Sequence, residues 1–462
     1  DSTQKVFYKP YSIKNNTDEF ENQSDSTLLN SPEFHAQNVY VIIMRLLTKF
    51  EFAFGRRVPW GSNIHQLNIC PHAFADANAY YSDYDNGIFF GYFANNTGKT
   101  IYTCLSHDII VHEATHALLD GIRKTYIVPS YPDQEGFHEG FADSIAILSV
   151  FGLKEVVKIL LSDGSESNNH IRKDKLTSSL LKKNVLLGLA EEFGSEISEH
   201  SVESLRRAVL RKPNKNALKD PLNQESHIRG EILSAAILNS FIEVWIKRLK
   251  SWLPEIDQKV LIDRVVEDAC DAADHLLKMC IRALDYCPVV DITFSEFLTS
   301  LLTADFELLI DDGKYKYREI LLEEFGRWGI EPVNYDLKQI ENKNPNKLGT
   351  WDKISTNQKI DYEQIHKASL ENDQNEAFKF LWQNRKVLEL YEDAFTQIIS
   401  LRSSIRVAPD GFVLNETVCE YKQTIEVEAK NLSNINSKIF KPDGMKDTDI
   451  IKMHGGGVLI FD

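Results

Sequence analysis

Apolar residues recur at helical spacing through most of the first 330 positions. Val39, Ile42, Ile43, Leu46, Leu47 and Phe50 repeat every three or four residues, which predicts a helix with one inward face. Ser31-Pro32-Glu33 starts it, with Ser as N-cap and Pro at the first helical position, and it ends near Gly55. From Leu67 to Leu105 the texture changes to strand. AYYSDYDNGIFFGYF alternates around Asp85-Asn86-Gly87, a tight-turn signal, and TIYTC supplies a further strand. Beyond Asp143 the pattern is helical again to about residue 330. The clearest runs are Leu176 to Leu189, Ile228 to Leu249, and Val260 to Leu284, which Pro288 ends.

The flanks read differently. Residues 1–30 are polar and rich in Asn, Ser and Asp, the composition of a loosely tethered arm, and 331–360 form a polar, Asn/Lys-rich linker. Within 361–462, Glu376 to Ser403 is expected to be helical. SIRVAPDGFVL and ETVCEYKQTIEVEA are expected to be strands about a Pro-Asp-Gly turn, with GGGVLIFD as a last strand. These segments predict a small α+β accessory domain. A chain cut after about residue 345 is then expected to keep its main domain, 31–330, folded. The strand after Gly455-Gly456-Gly457 argues against a phosphate loop, which would open a helix.

The densest chemistry lies between, in SHDIIVHEATHALLDGIRKTYIVPSYPDQEGFHEGFAD, residues 106–143. Ile109, Ile110, Ala114, Ala117 and Leu118 are spaced to pack a helix inward, with Asp120-Gly121 as its stop signal. His112 and His116 are four residues apart, so both imidazoles leave the same face about 6 Å apart along the axis. That spacing lets two nitrogens share one metal ion, with Glu113 beside them to take a proton from water. A second helix, expected to begin near Gly136, carries His138, Glu139 and Asp143. Hydrolytic zinc sites use three protein ligands and leave one position open. Glu139 is a candidate third ligand, and Asp143, one turn on, can hold the free N–H of a ligating histidine. Two histidines on an apolar helix are otherwise buried groups satisfied by backbone carbonyls, and the second acidic helix favours the metal.

HEATH…HEGFAD closely resembles the His-Glu-x-x-His…Glu-x-x-x-Asp pattern of the thermolysin-like zinc metallopeptidases, the gluzincins. The resemblance implies an α+β, two-lobed fold with a β-rich N-terminal lobe and a helical C-terminal lobe. It implies one Zn2+ per chain on His112, His116 and Glu139, with Glu113 as general base and Asp143 as partner of His112. Asn78-Ala79-Tyr80-Tyr81 resembles the edge strand that such enzymes use to hold substrate backbone, making Asn78 and Ala79 substrate-binding candidates. NQESHIRGEILSAA resembles the segment whose histidine, here His227, donates to the developing oxyanion. A family tyrosine shares that task, for which Tyr126 and Tyr131 are both in range, and Arg206 is the candidate for a substrate-binding arginine. Where secreted relatives carry calcium-binding carboxylates this chain has IAILSVFGLKEVV, so no calcium is expected. SPEFHAQNVY, GRRVPW and MCIRALDYCPVVDITFSEFLTSLLTADFELL resemble a poorly described group of bacterial gluzincin-like proteins, and that likeness covers most of 31–330.

Composition narrows the partners. The 462 residues carry a net charge of −16, which argues against a general nucleic-acid or anionic-membrane binder, and no run approaches the apolar length of a membrane span. Six scattered cysteines without a Cys-x-x-Cys pair suit reduced thiols. With no basic-then-apolar signal segment at the start, the expectation is a cytoplasmic protein. The expected activity is zinc-dependent endopeptidase action on a peptide or protein substrate. The alternative is a masked or inactive scaffold that engages a regulatory protein through the C-terminal domain.

Overall fold

The computed structural model describes residues 18–61, 64–95, 98–128, 130–161, 169–182, 211–254, 259–309, 312–333, 348–351, 360–408, 411–435, 441 and 444–461. It is a mixed α and β fold in which helix predominates. Helix α1 (Pro32–Phe54) has the predicted start. Ser31 Oγ accepts from Phe34 N, and Gly55 closes the helix at φ 67°, a left-handed conformation that glycine adopts without strain. Val39, Ile43, Leu46 and Phe50 line its buried side.

Strands β1 (Asn68–Phe74), β2 (Ala79–Ser82), β3 (Gly87–Ala94) and β4 (Thr100–Tyr102) form one sheet in which β3 pairs with the other three. The hairpin between β2 and β3 turns where the sequence predicts, with Asn86 at φ 51°. Strand β2 pairs only with β3 among the described strands, so it is an edge.

Helix α2 (His107–Ile122) follows, then α3 (Pro132–Phe151), α4 (Ser226–Lys250), α5 (Ile262–Ala283) and α6 (Phe294–Leu308). Two boundaries move from the sequence expectation. Helix α2 runs through Gly121, whose missing side chain makes room for the Pro59 carbonyl. An added Cβ would lie 2.0 Å from that oxygen, so the glycine serves close packing instead of ending the helix. Helix α3 begins four residues before Gly136, with Pro132 in its first turn. Of the run from Leu176 to Leu189, only residues through 182 are described, and 178–182 are helical.

The C-terminal part departs further. Helix α7 is confined to Gln374–Gln383, and Phe395–Val407 is strand β5, not the continuation of a helix. Thr396, Ile398 and Ser400 are buried while Phe395, Gln397 and Ile399 between them are exposed, a period of two that overrides the helical reading. Strand β5 pairs with β6 (Val413–Glu428), which pairs with β7 (Ile450–Phe461), all antiparallel. The expected turn lies between Val407 and Val413, with Gly411 at φ 87°. The glycine triplet lies inside β7.

This sheet is joined to the rest by buried charge. Asp285, just past α5, accepts two bonds from Arg56 at 2.7 and 2.5 Å and pairs with Arg406 of β5. Burial alone would raise the Asp285 carboxyl, and Arg56 and Arg406 overcome it, holding it at about 2. Ile405 N donates to Gly55 O at 3.2 Å, so β5 also meets the end of α1. All six cysteines are free thiols, five of them buried. Among the described residues no helix is long and apolar enough to cross a membrane.

Candidate metal centre

Helix α2 is buried along almost its whole length, so its polar residues stand in a core and need partners there. His112 and His116 project from one face, and their Nε2 atoms approach to 2.9 Å. Helix α3 supplies the third group, with Glu139 Oε2 3.6 Å from His112 Nε2 and 3.7 Å from His116 Nε2. One turn further, Asp143 Oδ1 lies 2.9 Å from His112 Nδ1. A proton on Nδ1 would face this carboxylate and leave the Nε2 lone pair for the shared point. Two imidazole nitrogens and a carboxylate oxygen thus converge, and these three residues could hold a metal ion.

The charges suit a cation there. Burial opposes ionisation of Glu139, but the surrounding histidines, His116 first, hold its carboxyl well below the usual range. Glu113 is placed differently. Burial pushes its carboxyl up to about 7, with His112 opposing the shift and Glu139 reinforcing it. Its Oε2 accepts from Tyr81 N of β2 at 2.9 Å, so the edge strand fixes the carboxylate beside the two histidines. The Tyr81 hydroxyl in turn donates to Asp120 Oδ2 at 2.7 Å, tying strand to helix.

Helix α4 completes the surroundings because it approaches α3 very closely. A Cβ on Gly140 would lie 2.5 Å from Gly230 O, and one on Gly230 would lie 2.8 Å from Gly140 N. Only glycine at both positions lets the backbones touch. This contact carries His227, in the first turn of α4, to the rim of the site, with Nε2 3.7 Å from Glu139 Oε2. Its Nδ1 is 2.6 Å from Glu225 Oε1, the carboxylate that also caps the helix, so Nε2 is the nitrogen presented to the opening.

The result is a cleft of about 420 Å³. Its walls include Asn78, Ala79 and Tyr81 on one side and His138, Glu139 and His227 on the other, above His112, Glu113 and His116. Asn78, Ala79 and His227 are therefore brought to the site. Tyr126 and Tyr131 are not among the residues lining it. The Tyr126 hydroxyl is buried and donates to the Pro288 carbonyl, and Tyr131 is half exposed at the N-cap of α3. Both candidate oxyanion tyrosines are thus placed elsewhere. Arg206 lies outside the described residues.

Two participants were not assigned from sequence. His138 stacks on His116 with ring centroids 4.5 Å apart and planes 8° from parallel. Its position beside Glu139 was its only sequence signal. The Tyr81 amide has none, because a backbone donor is identical in every sequence and is made significant only by where the strand runs.

No protein-family model, curated protein or solved structure matches the chain.

Proposed function

We propose that the chain is a zinc-dependent endopeptidase of the thermolysin-like, two-lobed kind, acting on peptide or protein substrates. The convergence of His112, His116 and Glu139 beside Glu113, below an edge strand in one cleft, carries this reading. The donor set fits the ion, since two neutral imidazoles and one carboxylate are a hydrolytic zinc set and leave a fourth position open. Bound zinc would supply Lewis acidity toward water and toward a scissile carbonyl.

The remaining steps belong to the protein. Glu113 takes the proton of the attacking water and passes it to the leaving amine. His227 donates from Nε2 toward the oxyanion that develops at the cleft rim, and it does so as an imidazolium, because burial lowers its pKa but Glu139 and Glu225 outweigh burial and raise it. The free edge of β2 offers its C=O groups to an extended substrate backbone, its Tyr81 N–H being held by Glu113. Asp143 holds the tautomer of His112.

The test is Glu113→Gln measured on a casein-type substrate. The variant is expected to retain zinc and lose turnover, because an amide cannot accept the proton. A zinc-loaded variant with unchanged activity overturns the assignment, and absence of turnover in the zinc-loaded native chain favours a binding role for the site.

A further inference from the structure

Three side chains that this reaction does not use meet inside the N-terminal part of the fold. His35 comes from the inner side of α1, His72 from β1, and Cys104 from the turn Thr103–Leu105 between β4 and α2. Their ligand atoms all lie within 4.8 Å of one another. His35 Nδ1 and His72 Nε2 are 2.8 Å apart, and the three residues are 1%, 9% and 0% exposed. Tyr102 covers the pair, its ring centroid 4.7 Å from that of His35 and 5.0 Å from that of His72.

A single hydrogen bond between two imidazoles explains part of this arrangement. It leaves the His35 Nε2 proton to the backbone of Leu28 and Leu29, which lies against the ring. It also leaves the convergence of the thiol without a purpose. Ligation at Nδ1 keeps the same arrangement, since a ligating imidazole must carry its proton on the opposite nitrogen, where a backbone carbonyl can take it.

We propose that His35, His72 and Cys104 hold a second metal ion, a borderline-soft divalent cation of the zinc class, in a structural site. Imidazole and thiolate are both ligands of zinc-class ions, softness disfavours magnesium or calcium, and three protein ligands leave a fourth position to water. On binding, Cys104 gives up its thiol proton to solvent and its sulfur pair forms the bond to the ion. The ion ties α1, β1 and the turn before α2 together, three elements with no covalent link at this point. The neighbour of Cys104 is Thr103, whose hydroxyl donates to Gly91 O at 2.9 Å and to Asn78 O at 3.4 Å. The clamp therefore also holds the strand that walls the cleft.

Cobalt(II) distinguishes this site from the first, because the His112–His116–Glu139 set contains no sulfur. The metal-free full chain titrated with Co2+ is expected to develop a thiolate-to-cobalt charge-transfer band that saturates at one equivalent of thiolate-bound ion. Cys104→Ser should abolish the band, and His112→Ala should leave it intact. Zinc content should read two per chain in the native protein and one in either variant. If Cys104→Ser fails to fold, judged by circular dichroism, His72→Gln is expected to show the same loss. A native chain that never develops the band overturns the proposal, leaving an ordinary hydrogen-bonded histidine pair. So does a band that persists undiminished in Cys104→Ser. A native zinc content of one that depends on Cys104 and not on His112 would retain this site and reject the catalytic reading.

Discussion

Arg123, one residue past the helix that carries His112 and His116, pairs with Glu420 on the middle strand of the C-terminal sheet, and both side chains are almost fully enclosed. Arg123 also donates to the Leu284 carbonyl, so one guanidinium joins α2, the end of α5 and the sheet. Removing one member of a buried pair leaves the other charge without compensation. Glu420→Gln is therefore expected to destabilise the chain by about 3–5 kcal/mol in chemical denaturation. A chain cut after residue 351 is expected to be poorly soluble, because Arg123 and Asp285 lose partners together. This replaces the expectation of an independently folded main domain. A soluble fragment with a native-like unfolding midpoint counts against it.

Replacement of His112, His116 or Glu139 by Ala should lower the metal content of the first site sharply, since two donors hold zinc poorly. Asp143→Asn, which leaves the ligands and alters only the partner of His112 Nδ1, should cost on the order of 10- to 100-fold in metal affinity or activity. Elemental analysis together with competition against a chelator reads both effects. Equal losses for Asp143→Asn and Glu139→Ala would mean that Asp143 is itself a ligand.

His227 is expected to act on turnover and not on metal binding. His227→Ala should lower kcat and kcat/KM together by roughly 10²- to 10³-fold with KM nearly constant. Glu225→Gln should give a smaller loss in the same direction, because Glu225 acts on the ring through Nδ1 and does not itself face the oxyanion. Loss of zinc in His227→Ala would place this residue among the ligands.

His107 sets a pH dependence of stability. Burial pulls its imidazole down to about 4, with Arg45 and Lys49 adding to the effect, while Nε2 lies 2.9 Å from Ser149 Oγ. The folded chain keeps the ring neutral, whereas the unfolded chain takes up a proton below about 6.5. Proton uptake then favours unfolding, so this contribution is complete above pH 6.5 and is lost as pH falls toward 4. The slope is at most about 1.4 kcal/mol per pH unit for the one group. Urea midpoints measured across that window should fall with acidification, and His107→Gln should flatten the fall. An unchanged slope in that variant would assign the dependence to other groups.

Local order determined much of this protein. The Ser31-Pro32 start, the Asn86-Gly87 turn and the His112–His116 spacing each lie within one helical turn or one tight turn. Backbone geometry alone therefore makes them legible. Phe395–Ser403 was misread because FTQIISLRS supports either period until β6 pairs with it and buries alternate side chains. Tertiary structure decided the rest. The Gly140–Gly230 contact brings His227 beside Glu139, the path of β2 places the Tyr81 amide on Glu113, and Arg123 meets Glu420 from 297 positions away. His35, His72 and Cys104 share no sequence spacing and meet only because helix, strand and turn pack together. Contacts of that kind depend on how close two backbones can come and on which charges burial forces to pair, and neither is written in the neighbourhood of any single residue.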